Sequence, residues 1–157
     1  MKRFIDLTSI RGLMASAVFV IGSGAALAAD LKINLTGAQE TPPVTTSASG
    51  TGTITVGADK SVSGTIKTKS IDGTMAHIHV GAPGKSGPPI ITLTKDADGV
   101  WMVPAGSKLT DEQFASFKAG ELYVNVHSAM HQPGEIRGQL TSSSTSKAGD
   151  SYRATHE

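Results

Sequence analysis

Residues 75–80 read Met-Ala-His-Ile-His-Val, and this short stretch already indicates the kind of fold. Apolar side chains at Ala76 and Ile78 alternate with larger or polar neighbours, which is the pattern of a β-strand with one buried face. The same alternation occurs in residues 31–35 and again in residues 122–126. The sequence therefore predicts a sheet whose strands each present one apolar face to a common core.

Turn residues separate further strands on both sides of this stretch. The Gly-Ala-Asp-Lys sequence at residues 57–60 predicts a hairpin turn, and Asp-Ala-Asp-Gly at residues 96–99 predicts a second one. The predicted strands are residues 31–35, 51–56, 62–69, 75–80, 90–94, 100–103, 122–126 and 135–140. About eight short strands at this close spacing are typical of an all-β fold, and we expect a Greek-key sandwich or barrel.

One short helix is expected after the second hairpin. Thr110 and Gln113 have the spacing of a capping box, and Gly120 suits the end of the helix. Phe114 and Phe117 are three residues apart, so they share one apolar face of this helix. The sequence therefore predicts a helix that packs against the sheet through two aromatic side chains.

The two ends of the chain differ from this β-domain. Residues 1–28 combine a basic start, an apolar run and an Ala-Leu-Ala ending, which together are the pattern of a secretory signal peptide. Residues 29–140 form the predicted domain, and residues 141–157 are polar and serine-rich, so we expect a disordered tail. Because the chain combines this export signal with the absence of cysteine, we expect a bacterial periplasmic or secreted protein whose fold is held by its core and not by disulfides.

Charge and composition exclude several classes of function. The 157-residue chain has 14 basic and 13 acidic side chains, so it lacks the positive field that nucleic-acid binding requires. We expect no membrane association once the signal peptide is removed. No phosphate-binding glycine loop, hydrolase triad or carboxylate pair is recognisable. We therefore assign no catalytic residue, and the sequence favours a non-catalytic role while leaving enzymatic activity open.

Four of the five histidines fall in two short groups. His77 and His79 are two residues apart on one strand, so their side chains share a face about 6.5–7 Å apart and can converge on one ion. His127 and His131 form the second group. In the strand before it, Asn125 and His127 lie on the face opposite the apolar side chains. If the two strands are neighbours, the two groups can meet.

This arrangement predicts a transition-metal site. Imidazole suits copper and zinc, and a methionine thioether selects Cu(I) among the common ions. We expect copper, and zinc less so. Either an open coordination position or a closed site with further ligands would fit. The predicted metal ligands are His77, His79, His127, Met130, His131 and Met75.

Each of these side chains also has an ordinary structural interpretation. A histidine on a strand can simply be solvated or hydrogen bonded. Met75 can pack at a strand end, and Met130 can cover the mouth of a barrel. Arg137 lies on the outward face of the last strand, and we interpret it as a solvated strand residue rather than as a guide for anions. The sequence alone leaves these alternatives open.

Several motifs resemble the CHRD domain, the module first named from chordin. The opening motif is Leu-Thr-Gly-Ala-Gln-Glu-Thr-Pro-Pro-Val, and the stretches that carry the resemblance are residues 35–44, 76–81, 121–127 and 133–140. The resemblance covers residues 31–140 in the expected order. It implies a compact β-domain, found as a single exported copy in bacteria and repeated in chordin, with no established reaction. His77, His79 and His127 lie within these motifs.

Three functions follow as alternatives. The first is holding or delivering copper in the periplasm through the histidines, with the metal ion as the partner. The second is a structural or protein-interaction module that binds a protein partner, as the repeats of chordin suggest. The third is superoxide dismutation, because copper/zinc superoxide dismutases are similar in placing a His-x-His pair on a strand of a Greek-key barrel. This chain lacks their disulfide cysteines and a bridging histidine soon after the pair, which argues against a two-metal site.

Overall fold

A computed structural model describes residues 28–141 of the chain. The predicted signal peptide, apart from Ala28, lies outside these residues, as does the predicted tail apart from Thr141. Within the described range, no helix is both long enough and apolar enough to cross a membrane.

The described residues form one antiparallel sheet of nine strands. The strands are β1 (Ala29–Thr36), β2 (Ser49–Val56), β3 (Val62–Lys69), β4 (Gly73–Val80), β5 (Pro89–Thr92), β6 (Thr94–Ala97), β7 (Val100–Met102), β8 (Leu122–Ser128) and β9 (Ile136–Gln139). Their order across the sheet is β5-β4-β8-β9-β1-β2-β3-β7-β6. The sheet is nearly closed, so the predicted all-β sandwich or barrel is confirmed.

Residues 89–97 bring the two ends of this strand order together. β5 pairs with β4, whereas β6 pairs with β7 at the other end of the order. Leu93 lies between β5 and β6, is buried, and donates its N–H to the carbonyl of Ala76 at 2.9 Å. One continuous stretch of chain therefore belongs to both ends of the sheet.

The predicted hairpin between residues 90–94 and 100–103 is wrong in its first strand. The turn is tighter than expected and consists of Asp98 and Gly99, whose φ is +71°. A two-residue turn pairs the residues directly before it with those directly after it. β6 is therefore the partner of β7, and the residues before it pair with β4 instead.

The short helix α1 (Asp111–Lys118) forms as predicted. The Thr110 hydroxyl accepts a hydrogen bond from the Gln113 backbone at 3.2 Å, and the Gln113 side chain accepts one from the Thr110 backbone at 3.0 Å. Phe114 and Phe117 pack against the buried core. The capping box and the aromatic pair are therefore both confirmed.

The apolar core lies on one side of the sheet, and β8 has an unusual relation to it. Val124 and the other inward side chains of β8 are buried in the core. The outward side chains of β8 are buried as well, so all seven of its residues are buried. Loop 81–88 covers part of the outward face of β8, and one of its backbone N–H groups donates to the Tyr123 hydroxyl. Loop 129–134 covers it through carbonyls that contact Asn125 and His127. The polar face of β8 is therefore enclosed between the sheet and two loops.

Candidate functional site

The candidate site depends on β4 and β8 being neighbours. In their antiparallel register Met75 is opposite His127, and His77 is opposite Asn125. His127 is therefore a diagonal neighbour of His77 on the same face, at a distance that long side chains can bridge. The local sequence pattern left this adjacency open, and the strand order of the sheet supplies it.

The fold brings His77, His79 and His127 into one cluster. Each offers a ring nitrogen, and these three atoms all lie within 4.8 Å of one another. The ring centroid of His77 is 5.5 Å from that of His79 and 5.0 Å from that of His127. His79 and His127 are buried, whereas His77 is partly exposed. We refer to these three residues as the histidine cluster.

Backbone carbonyls orient two rings of the histidine cluster. Nδ1 of His79 lies 2.8 Å from the Gly87 carbonyl oxygen, and Nδ1 of His127 lies 2.7 Å from that of Gln132. Because a carbonyl can only accept, the proton of each neutral ring sits on Nδ1 and the lone pair on Nε2. Histidines that bind metals commonly donate their other ring N–H to such a carbonyl.

The histidine cluster also contains a buried nitrogen that lacks a partner. Among residues 28–141, Nε2 of His79 has no hydrogen-bond partner although it is buried. Nε2 of His127 lies 3.0 Å from Nδ1 of His77, which therefore donates to it. A bound cation would satisfy the first lone pair and take the place of the proton shared by the other two rings. The donor set therefore fits a metal ion.

The electrostatics of the cluster favour neutral rings. Burial lowers the pKa of His77, and the neighbouring rings of His127 and His79 lower it further. Burial also lowers the pKa of His79, although its hydrogen bond to Gly87 opposes the change. A neutral imidazole has the lone pair that a metal ligand needs. At neutral pH, both rings are therefore in the protonation state that binds metal.

The other predicted ligands lie in different surroundings. Met75 is 50% exposed at the edge of the cluster, opposite His127. Met130 is 88% exposed and lines a separate cavity, which is also lined by Asp72. His131 is partly buried outside the cluster, and its backbone N–H donates to the Ser128 hydroxyl at 3.2 Å. The fold therefore unites three of the six residues, and metal binding by any of them stays a prediction.

The interpretation of Arg137 as a solvated residue is wrong. Only 2% of Arg137 is exposed, and its guanidinium lies 3.5 Å from the ring centroid of Tyr123. It donates to the carbonyls of Lys85 at 2.9 Å and Ala82 at 3.0 Å. The alternation of β9 correctly placed Arg137 on the outward face, but it carried no information about the loop that folds over that face.

Arg137 and Tyr123 support the histidine cluster from one side. The ring of Tyr123 stacks on that of His79, with centroids 4.9 Å apart and an angle of 11° between the planes. Gly87, whose carbonyl orients His79, also donates its N–H to the Tyr123 hydroxyl at 3.2 Å. Sequence reasoning missed Gly87 and Gln132 because any residue can supply a carbonyl.

Comparison with known proteins agrees with this architecture. A family model described as CHRD domain matches residues 31–140, a range that begins within β1, ends just after β9 and contains the histidine cluster. No curated protein and no solved structure matches the chain. Because the family model covers most of the chain, the protein belongs to the CHRD domain family.

Proposed function

We propose that this CHRD-domain protein binds one transition-metal ion, copper, through the histidine cluster and holds or delivers it outside the cytoplasm. The observation that carries the proposal is the buried Nε2 of His79, which has no partner among the described residues and lies beside two other imidazoles. Leaving such a group unpaired costs about 1–3 kcal/mol. A cation bound between the three rings would remove that cost.

The chemistry of the donors supports copper among the transition metals. The cluster offers imidazole nitrogens from His77, His79 and His127, and imidazole suits both copper and zinc. Copper(II) binds such sites more tightly than the other common divalent ions. Met75, half-exposed next to the cluster, adds a thioether that could contact Cu(I) during transfer.

Holding or delivery suits the position of the cluster. His77 is partly exposed and gives the enclosed rings an opening to solvent, through which an ion can enter and leave. The predicted signal peptide supports a location outside the cytoplasm. Holding or delivering an ion requires no substrate cavity beside the metal, whereas superoxide dismutation does.

Metal content after loading tests the proposal. The purified chain is incubated with copper or zinc and desalted exhaustively, and the bound metal is measured per chain. We expect one copper per chain, and none in the variant His77→Ala/His79→Ala/His127→Ala. The matched control is His131→Ala, because His131 lies outside the cluster. Absence of retained metal in the unaltered chain, or equal copper in the triple variant, would contradict the proposal.

A further inference from the structure

Asn125 is a buried polar residue that the histidine cluster does not include. It lies on the outward face of β8, opposite His77 on β4 and opposite Arg137 on β9, and is 2% exposed. Among residues 28–141, four buried side-chain atoms have no hydrogen-bond partner. They are Glu40 Oε1, His79 Nε2, Trp101 Nε1 and Asn125 Oδ1. Asn125 therefore contributes one of these rare atoms next to the histidine cluster.

Contacts on one side of Asn125 fix the orientation of its amide. Nδ2 donates to the Pro133 carbonyl at 3.4 Å. Nδ2 and the Glu40 carboxylate both border Gly134, since a Cβ added to this glycine would lie 2.6 Å from Asn125 Nδ2 and 2.5 Å from Glu40 Oε1. Exchanging the amide oxygen and nitrogen would point one acceptor at two others, which is unfavourable. Oδ1 therefore lies on the opposite side of the amide from Pro133.

The register of β4 and β8 places Asn125 beside the histidine cluster. Asn125 lies directly opposite His77, and Tyr123, two residues earlier on β8, lies opposite His79. His79 is therefore a diagonal neighbour of Asn125 on the same outward face, at a distance that long side chains can bridge.

Within residues 28–141, Oδ1 of Asn125 and Nε2 of His79 are thus two buried atoms without a hydrogen-bond partner, and they belong to diagonal neighbours on one face of the sheet. We propose that the Asn125 side-chain oxygen is a fourth donor to the metal ion, completing a site of three nitrogens and one oxygen. This inference rests on the proposed function, since it requires that the histidine cluster holds the ion. A cation bound to both atoms would satisfy two buried acceptors at once.

An oxygen donor has a consequence for the oxidation state of the copper. Amide oxygen is a hard ligand, whereas Cu(I) prefers soft sulfur ligands. Asn125 should therefore stabilise bound Cu(II) more than bound Cu(I). Asn125 thus favours Cu(II) over Cu(I) more strongly than the three histidines would on their own.

Copper titrations of variants at position 125 test this inference. Cu(II) and Cu(I) are each titrated into the full chain, and the electron paramagnetic resonance spectrum of the Cu(II) form is recorded. We expect Asn125→Ala to weaken Cu(II) binding by about tenfold or more, to weaken Cu(I) binding by less, and to change the copper hyperfine splitting. Asn125→Asp retains an oxygen and adds a charge, so it should bind Cu(II) at least as tightly. The chain's other asparagine, the exposed Asn34, provides the matched control Asn34→Ala.

The outcomes separate this inference from the proposed function. If the unaltered chain binds no Cu(II), the proposed function itself fails. If the chain binds Cu(II) and the histidine variant does not, but Asn125→Ala matches the unaltered chain in affinity and spectrum, the role of Asn125 is overturned. Should Asn125→Ala fail to fold by circular dichroism, Asn125→Asp decides, because a spectrum identical to that of the unaltered chain would exclude coordination by this residue.

Discussion

The outward faces of β2 and β8 belong to the same sheet but have opposite environments. Thr51, Thr53 and Thr55 line the outward face of β2 and are exposed or partly exposed. The outward side chains of β8, which include Asn125 and His127, are buried. Both strands alternate between apolar and polar residues, so the difference comes from the loops that cover β8 and not from the strands themselves.

This difference shows how the fold leaves polar groups enclosed and away from water on one strand only. Threonine hydroxyls on β2 can bond to water, so their position makes no chemical demand on the protein. Polar groups under the loops of β8 must find partners within the protein, because a buried polar group without one is costly. Nε2 of His79 and Oδ1 of Asn125 have none among the described residues. A metal ion would provide the missing partner.

The strongest test of this contrast removes Arg137, which holds loop 81–88 over β8. We expect Arg137→Ala to lower the free energy of unfolding by about 3 kcal/mol, because it leaves the carbonyls of Ala82 and Lys85 without their charged donor. Urea denaturation measures the change. The matched variant Thr53→Val on β2 should stay within about 0.5 kcal/mol. Equal stabilities of the two variants would show that the loop does not enclose β8 as described.

The local pattern was sufficient for most of the fold. Alternation predicted the strands because one face of each strand packs into the core, and Thr110 with Gln113 predicted the start of α1. The local pattern failed where the environment of a residue depended on contacts with residues distant in sequence. Position 137 was placed on the correct face, but its burial depends on carbonyls 52 and 55 residues away.

The candidate site was predictable only in part for the same reason. The sequence identified His77, His79 and His127, but their meeting depends on β4 and β8 being neighbours in the sheet. The carbonyls of Gly87 and Gln132 leave no sequence signal, because every residue has one. The amide of Asn125 was visible on the outward face, but its missing partner could be recognised only from the structure.

A smaller effect on the free energy of unfolding is expected from the titration of Glu40. This residue is 8% exposed and lies beside Asn125 and Arg137. Burial raises the pKa of Glu40 above its usual value near 4.5, and the charge of Arg137 opposes this change. The folded chain therefore holds this proton more tightly than the unfolded chain does. The stabilising contribution of Glu40 is present below the unfolded pKa and is lost as pH rises through the folded pKa.

The variant Glu40→Gln removes this titration while keeping the size of the side chain. In metal-free buffer, we expect the stability of the variant relative to the unaltered chain to increase as pH rises from about 4 to about 8. Unfolding by urea at several pH values measures the difference. A difference that stays constant, or that decreases as pH rises, would contradict a raised pKa for Glu40.

X-ray absorption at the copper edge of the loaded chain tests the central claim most directly, because it reports the atoms bound to the metal. We predict scattering from three imidazole rings and one light oxygen-type donor around a single copper. The variant His77→Ala/His79→Ala/His127→Ala, measured at the same copper concentration, should lack this signal. Copper without imidazole scattering in the unaltered chain, or the same spectrum in the triple variant, would contradict a metal site on the outward face of β8.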